Sequence, residues 1–291
     1  MHIEAITLDE WYPVALEDDP VPGRDYRTQL LGTEIIYRLD QQGNPTVRVA
    51  GDGRPCPVER RYQAYWTSLG QPGNAFFDIP EFAEPDRRMI SLGSMRIHVA
   101  GLRAVENFLD MAHFPFVHGG LLGEVPHTQV RPYKVTHDSQ SGDLYALDCA
   151  FYQPMAAASA SGGIDAQYVY RVMRPLSAML YKTCAADPQR RDIICLFTQP
   201  LDDEWCIAHL VLACIDAEHS DSELRLFQQT IVGQDVTILN NHWPRMLPLD
   251  PRFEVPGRAD AMSSAYRRWL ADKGVVYGTY RPVSQASEVS A

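Results

Sequence analysis

Strand-like segments separated by turn signals dominate the middle of this 291-residue chain. After a first segment at 90–100, they lie at 128–136, 144–152, 167–173, 179–184, 193–199 and 206–215. Most of the connections between them are short and polar. Short connections favour antiparallel pairing, because two parallel strands need a crossover of a dozen residues or more. The pattern therefore predicts an antiparallel sheet.

Three segments with helical spacing lie among and after these strands. Segment 101–112 repeats apolar residues every three or four positions. Ser220 and Glu223 have the spacing of a capping box, which predicts the start of a long helix that ends near residue 241. A last amphipathic helix at 258–273 stops at Gly274. Consecutive strands with helices before and after them predict the α+β fold class.

A change in composition divides the chain near residue 80. Glycine, proline, aspartate and glutamine cluster between residues 40 and 80, after a strand-like run at 34–39. Such a cluster is typical of a loop-rich junction. We expect a small β-rich module at residues 1–80 and a larger domain at residues 81–291.

The chain is acidic, with 26 Lys and Arg against 37 Asp and Glu and a net charge of −11. It has no basic run of the kind that binds nucleic acid, and its apolar stretches are too short to cross a bilayer. The first residues do not have the pattern of a secretory signal. Six cysteines are scattered without a Cys-x-x-Cys pair, which is typical of reduced, buried thiols. We therefore expect a cytoplasmic protein that binds neither nucleic acid nor a membrane.

Two histidines close together carry the strongest chemical signal. His113 follows the apolar stripe of the first predicted helix, and Pro115 disfavours helix beyond it. We expect the helix to end just after His113 and His118 to return from a turn, so that the two imidazoles converge. The spacing alone leaves the ordinary alternative open, because such a pair can arise by chance among nine histidines.

Asp235 strengthens the case for a metal. It lies on the face of the long helix that the 3.6-residue period assigns to the core. That apolar stripe consists of Leu224, Phe227, Ile231, Ile238 and Leu239. A buried carboxylate needs a cation or several donors, and Arg171 or Arg245 could serve. The other alternative is a metal, because two histidines and one carboxylate form the site of non-haem Fe(II) oxygenases.

The pattern Asn107-x2-Asp110-x2-His113-x4-His118, with Asp235 far downstream, resembles the catalytic domain of Rieske non-haem iron oxygenases. The resemblance covers about residues 85–275. It implies a helix-grip fold, in which an antiparallel sheet wraps around a long helix. It also implies that His113, His118 and Asp235 bind one mononuclear Fe(II). Asp110 would link His113 to the electron-donating cluster, and Asn107 would lie near the metal.

The chain departs from this family in its N-terminal part. Family members normally carry a [2Fe–2S] cluster held by Cys-x-His and Cys-x2-His, and no Cys-x-His occurs here. Cys206 and His209 have the second spacing, but they lie in a strand-like run, where we expect core residues. Segments 10–15 and 62–70 nevertheless resemble the opening and the close of a Rieske domain. We expect residues 1–80 to be a truncated Rieske-like module without cluster ligands.

Within the family, the cluster-less form resembles the iron components of bacterial methylxanthine N-demethylase complexes. The resemblance implies hydroxylation of an N-methyl group, such as the N7-methyl of 7-methylxanthine, with loss of formaldehyde. O2 would be the co-substrate. A separate Rieske-containing NAD(P)H reductase would supply electrons beside Asp110, and further subunits or a trimer-like homo-oligomer would complete the assembly.

Substrate contacts are harder to infer from the sequence. Gln228 and Gln229 lie about two helical turns before Asp235 and are candidates for binding a purine; two solvent-facing glutamines are the ordinary alternative. Other activities stay open: O-demethylation or ring hydroxylation of another aromatic compound, metal-dependent hydrolysis, or an inactive scaffold subunit. The complete set of site residues argues against a scaffold.

Overall fold

The computed structural model describes residues 3–73, 76–156, 162–184 and 186–281. Before residue 68, the chain forms two small antiparallel sheets. Their elements are α1 (Ala5–Leu8), β1 (Tyr12–Leu16), β2 (Asp25–Leu30), β3 (Thr33–Leu39), β4 (Pro45–Val49), β5 (Pro55–Cys56), β6 (Val58–Arg61) and β7 (Ala64–Thr67). One sheet has the order β1-β7-β6, and β2 to β5 form the other in sequence order. The β-rich character expected of this part is confirmed, whereas a domain boundary at residue 80 stays a prediction.

The remaining described chain combines one large sheet with helices. A short 3₁₀ helix (Pro80–Ala83) leads into it, and a second one (Arg258–Asp260) precedes the last helix. Its elements are β8 (Arg88–Ile97), α2 (Gly101–Leu109), α3 (Phe114–Val117), β9 (Lys134–His137), β10 (Leu144–Gln153), β11 (Ile164–Arg174), β12 (Ser177–Thr183), β13 (Arg191–Pro200), β14 (Cys206–Cys214), α4 (Asp221–Leu239), β15 (Leu247–Pro248), α5 (Ala261–Asp272) and β16 (Thr279–Tyr280).

Seven of these strands form one antiparallel sheet with the order β8-β14-β13-β12-β11-β10-β9. Six consecutive strands, β9 to β14, pair as neighbours in sequence order. The chain therefore has the predicted α+β fold. The strand predicted at 128–136 is shorter than expected, since pairing with β10 begins only at Lys134.

Both faces of the central strands are covered, which explains why they are almost continuously apolar. On one face, Phe197 of β13 packs against Trp66 of β7, with ring centroids 4.8 Å apart. Hydrogen bonds from Leu31 N to Pro200 O and from Gly32 N to Leu201 O, 2.9 and 2.7 Å long, join the N-terminal sheets to the end of β13. The opposite face turns toward α4.

Helix α4 begins with the predicted capping box: the side chain of Ser220 accepts from Glu223 N, and the Glu223 carboxylate accepts from Ser220 N. Arg225 holds the helix against β8 by donating to Ser91 O. The predicted apolar stripe is wrong at its end, because Ile238 is 46% exposed. The buried face turns instead through Ile231 and Leu239.

All six cysteines are buried and free, as expected. Cys206 and His209 are core residues of β14, which confirms the expectation for that pair. Among the described residues, no helix is both long and apolar enough to cross a membrane.

Candidate metal centre

The position of His113 depends on where helix α2 ends. Helix α2 stops at Leu109, and Asp110 has an extended backbone. The Asp110 carboxylate accepts from the backbone N–H groups of Ala112 at 2.9 Å and His113 at 3.1 Å. The prediction that the helix continues to about residue 113 is therefore wrong, because the Asp110 side chain competes with helical hydrogen bonding by accepting from the amides two and three residues further on.

A second short helix then returns the chain to the same point. Pro115 lies in the first turn of α3, where a proline removes no needed hydrogen bond. The amides of Val117 and His118 donate to the carbonyls of His113 and Phe114 at 2.8 and 2.9 Å. As a result, the Nε2 atoms of His113 and His118 lie 3.2 Å apart, which is the convergence expected from the sequence.

Helix α4 brings the carboxylate. Oδ1 of Asp235 lies 3.3 Å from Nε2 of His113 and 3.1 Å from Nε2 of His118. One ligand atom from each of the three residues lies within 4.8 Å of the others. The arginine alternative finds no support, because Arg171 pairs with Asp143 at 2.7 Å and the described contacts of Asp235 do not include Arg245.

The two rings are oriented by hydrogen bonds on their far sides. Nδ1 of His113 lies 2.8 Å from Oδ2 of Asp110, and Nδ1 of His118 lies 2.8 Å from Oε1 of Gln234. Because a carboxylate or amide oxygen can only accept, each Nδ1 carries a hydrogen, and each Nε2 points to the centre, where its lone pair would be available to a bound metal. Sequence reasoning gave Gln234 no role; its position next to Asp235 was the available signal.

Asn107 bonds to the carboxylate from α2. Its Nδ2 donates to Oδ1 of Asp235 at 3.1 Å. Asn107 and Asp110 are therefore in contact with the three converging side chains, as the resemblance implied. Their roles in catalysis stay predictions.

The pKa shifts of His113 and Asp235 both favour a positive charge at the centre. Burial disfavours a charged His113, but hydrogen bonds to Asp110 and Asp235 outweigh it and raise the pKa of His113 to about 9. Burial likewise opposes ionisation of Asp235, yet the two histidines lower its pKa to about 2. Two carboxylates thus favour a positive charge between them. Two imidazole nitrogens and a carboxylate are a suitable donor set for a divalent transition metal such as Fe(II).

A mostly apolar cavity opens beside these three residues. Its lining includes Phe108, Phe114, Leu122, Tyr168, Tyr170, Leu180, Lys182, Ile194, Leu210, Gln228, Ile231 and Val232. Gln228 is one turn of α4 before Val232 and faces the cavity as expected. Gln229 does not: its side chain donates to Leu92 O at 2.7 Å and holds α4 to β8. The prediction of a glutamine pair in the pocket is corrected to Gln228 alone, because adjacent helical residues point in directions about 100° apart.

A second cavity adjoins the far side of the centre. Asn107 and Asp110 form its floor, together with residues of α5 and of the segment after α4. Trp243 and Val255 lie at this cavity and are 75% and 91% exposed. Two large apolar side chains are thus exposed at the cavity next to the buried charged centre.

The fold and the site together define an oxygenase of the Rieske type. The family model of the vanillate O-demethylase oxygenase C-terminal domain matches residues 97–274. The chain belongs to this family of oxygenases.

Individual relatives narrow the comparison. A probable methylxanthine N7-demethylase, NdmC, from Pseudomonas sp. (strain TJI-51) is 48% identical over 97% of this chain and 100% of the relative. The methylxanthine N3-demethylase NdmB of Pseudomonas putida is 24% identical over 72% of this chain and 58% of its own length. Among solved structures, NdmA of Pseudomonas putida CBB5 superimposes with a TM-score of 0.72 at 16% identity, covering 91% of this chain and 89% of that one. The relatives of this class imply one mononuclear iron site.

Proposed function

We propose that this protein hydroxylates the N7-methyl group of a methylxanthine such as 7-methylxanthine. The observation that carries the proposal is the convergence of His113, His118 and Asp235, with Asp110 bonded to the far side of His113. The probable N7-demethylase that is 48% identical over almost the whole chain supports the choice of substrate. In this reaction one oxygen atom of O2 enters the methyl group and the other becomes water, at the expense of two electrons and two protons. The resulting hemiaminal loses formaldehyde and leaves a ring N–H.

In this proposal His113, His118 and Asp235 hold the iron. Bound iron would supply the activation of O2. The protein's own contribution is orientation: Asp110 and Gln234 fix the two imidazole rings, and Asn107 holds the Asp235 carboxylate. The apolar walls formed by Phe108, Phe114 and the two tyrosines would keep water from the methyl group and accept a flat ring.

The electrons would come from another protein. The chain has no Cys-x-His pair, so it lacks the ligands of a [2Fe–2S] cluster. Asp110 contacts His113 on one side and reaches the second cavity on the other. We propose that a Rieske-containing NAD(P)H reductase docks over this cavity and covers Trp243 and Val255. We also propose that further subunits or a trimer-like homo-oligomer complete the assembly. The same proposal includes a separate truncated module at residues 1–80 and a cytoplasmic location.

The proposed function is tested by measuring the iron content of the protein and then the formaldehyde that it releases. Protein purified without oxygen and reconstituted with Fe(II) should hold about one iron per chain and no acid-labile sulfide. With the Rieske-containing reductase of a methylxanthine N-demethylase system, it should release formaldehyde from 7-methylxanthine in an NADH-dependent reaction. His118→Ala should abolish both iron retention and turnover, whereas the exposed His137→Ala should change neither.

A methoxylated benzoate should be assayed in parallel, because the matching family is named after an O-demethylase. Formaldehyde release from that compound, and from no methylxanthine, would replace the proposed substrate by an aryl methyl ether while keeping the site. A protein that takes up no iron would contradict the proposed centre itself.

A further inference from the structure

A buried lysine lines the cavity that contains His113, His118 and Asp235. Lys182 lies on β12, and its side chain shares this cavity with the three proposed ligands. It is only 6% exposed. Its ammonium donates to the carbonyl of Ala156, and it forms no ion pair with any carboxylate of the described residues. The mechanism proposed above gives this charge no role.

The other buried cations of the described chain are all neutralised. Arg87 pairs with Glu84 at 2.9 Å, Arg103 with Glu106 at 3.0 Å and Arg171 with Asp143 at 2.7 Å; each of these arginines is less than 10% exposed. A buried charge is costly unless it is paired. Lys182 differs from these arginines: it interacts with the Asp192 carboxylate through space, but it forms no direct ion pair within the described residues.

The strands next to Lys182 show what surrounds it. In the sheet register it lies directly between Tyr168 of β11 and Asp192 of β13. The Asp192 carboxylate accepts from Ile215 N at 3.1 Å; burial raises its pKa, although the nearby Lys182 ammonium acts in the opposite direction. Tyr168 stacks beside Tyr170, with ring centroids 6.0 Å apart, and the Tyr170 hydroxyl has no hydrogen-bond partner among the described residues. Burial lowers the pKa of Lys182 itself to about 8. An ammonium thus stands at the edge of an aromatic wall.

A ligand can reach this group from outside. A third cavity shares Lys182, Ile194 and Gln228 with the site cavity. Its outer part is lined by Asp216 and the exposed Glu218. Lys182 therefore lies where an outer opening meets the cavity of the centre, and a molecule entering by this route would pass it.

We propose that Lys182 recognises the substrate by pairing with an ionised ring N–H that lies next to a carbonyl, the acidic group of a xanthine. This inference rests on the function proposed above and adds its specificity. A planar ring could lie along Tyr168 and Tyr170, and its negative charge would give Lys182 the direct ion pair that the described residues do not form with it. A xanthine with a methyl group on every ring nitrogen that can carry one has no such N–H. Lys182 therefore selects partly methylated xanthines over the fully methylated compound.

Binding to metal-free protein tests this without turnover. Isothermal titration should show that Lys182→Met loses affinity for 7-methylxanthine by on the order of 10- to 100-fold, the worth of a charge-assisted hydrogen bond. Affinity for 1,3,7-trimethylxanthine should change by less than about threefold. Lys134→Met, on the exposed surface of β9, is the matched control and should bind both compounds like the wild type. Equal losses for both compounds, or no loss for either, would contradict the role of Lys182.

A second measurement needs no variant. The anion of a xanthine absorbs at longer wavelength than the neutral ring, so an ultraviolet difference spectrum of 7-methylxanthine bound to wild-type protein reports its ionisation. At a pH at which the free compound is neutral, the bound compound should show the spectrum of the anion; a neutral spectrum overturns the inference. The two proposals fail separately. Wild-type protein that neither binds nor demethylates any methylxanthine contradicts the function, whereas normal turnover with a neutral bound ring contradicts only the role of Lys182.

Discussion

Oδ2 of Asp110 lies 2.8 Å from Nδ1 of His113, and the same carboxylate accepts from the backbone amides of Ala112 and His113, just beyond the end of helix α2. One side chain thus shapes the turn, orients the ring and reaches the second cavity. Burial would raise the pKa of Asp110, but its bonds to His113 lower it instead. Asp110 therefore stays ionised at neutral pH and is suited to connect His113 with a group outside the chain.

Asp110→Asn should separate iron binding from electron transfer. An asparagine keeps an oxygen that can accept from the backbone, so the turn and the iron content should stay close to wild type. Reductase-coupled formaldehyde release should fall by at least about 10- to 100-fold, because the carboxylate contact to the histidine is lost. Asp272→Asn, at the exposed end of α5, is the control. Full coupled activity in Asp110→Asn would refute the proposed route.

The sequence predicts the large sheet well, because each of its central strands is apolar, short and bounded by turns. It predicts α4 equally well, since the capping box of Ser220 and Glu223 defines the start independently of tertiary contacts. It fails at the end of α2. There the helical periodicity of the sequence continues, but the Asp110 side chain accepts from the amides of Ala112 and His113. The residue types alone do not show whether such amides bond to backbone carbonyls in a helix or to a side chain.

The three converging side chains could also be anticipated, from a spacing and from one carboxylate on an apolar stripe. The contact that Gln234 makes and the position of Lys182 could not be anticipated, although Gln234 is next to Asp235 in the sequence. Gln234 matters because the His118 ring turns its Nδ1 toward it, and Lys182 matters because β12 directs it inward beside a cavity lined by residues of six other elements. Both facts depend on tertiary geometry, which no local pattern encodes.

Gln234→Ala should weaken iron binding by about 10- to 100-fold, because the His118 ring loses the acceptor that fixes its orientation. Gln234→Glu keeps an acceptor at the same distance and should restore most of the affinity. The measurement is a competition for Fe(II) against a chelator of known affinity. Identical affinities in the wild type and in the alanine variant would show that packing alone holds His118.

Buried His209 should make the protein less stable in acid. It lies between Ser94 and Gln199 on β14, and burial lowers its pKa to about 3. An unfolded histidine has a pKa near 6.5, so below that pH the unfolded chain binds the extra proton and the folded chain does not. Stability is therefore present above about pH 6.5 and is lost as the pH falls from there toward 3, at most about 1.4 kcal/mol per pH unit from this group.

The matched comparison is His209→Gln, which retains a polar side chain without a titrating ring. Between pH 7 and pH 5, the free energy of unfolding of the metal-free wild type should fall by about 2 kcal/mol more than that of the variant. Denaturant titrations at the two pH values measure both. His113 is present in both proteins, so its contribution to the pH dependence of stability cancels when the two proteins are compared. Parallel pH profiles would show that His209 is not held neutral.

Glu106 should be a strong determinant of stability. On α2 it accepts from Arg103 at 3.0 Å and from Arg267 of α5 at 2.5 Å, and Glu254 bonds to both arginines. Arg103 is 2% exposed. Removing one member of such a buried ion network leaves charge without a partner, so Glu106→Ala should lower the free energy of unfolding by about 3–5 kcal/mol.

The exposed pair of Arg27 and Glu34 provides the control for that prediction. Their side chains are 64% and 51% exposed, and water screens the 2.8 Å contact, so Glu34→Ala should change stability by less than about 1 kcal/mol. Denaturant unfolding of both variants gives the comparison. Because Glu106 is one turn of α2 before Asp110, its loss should also reduce iron binding by loosening the end of that helix. A Glu106→Ala variant with wild-type stability would mean that Glu254 alone neutralises both arginines.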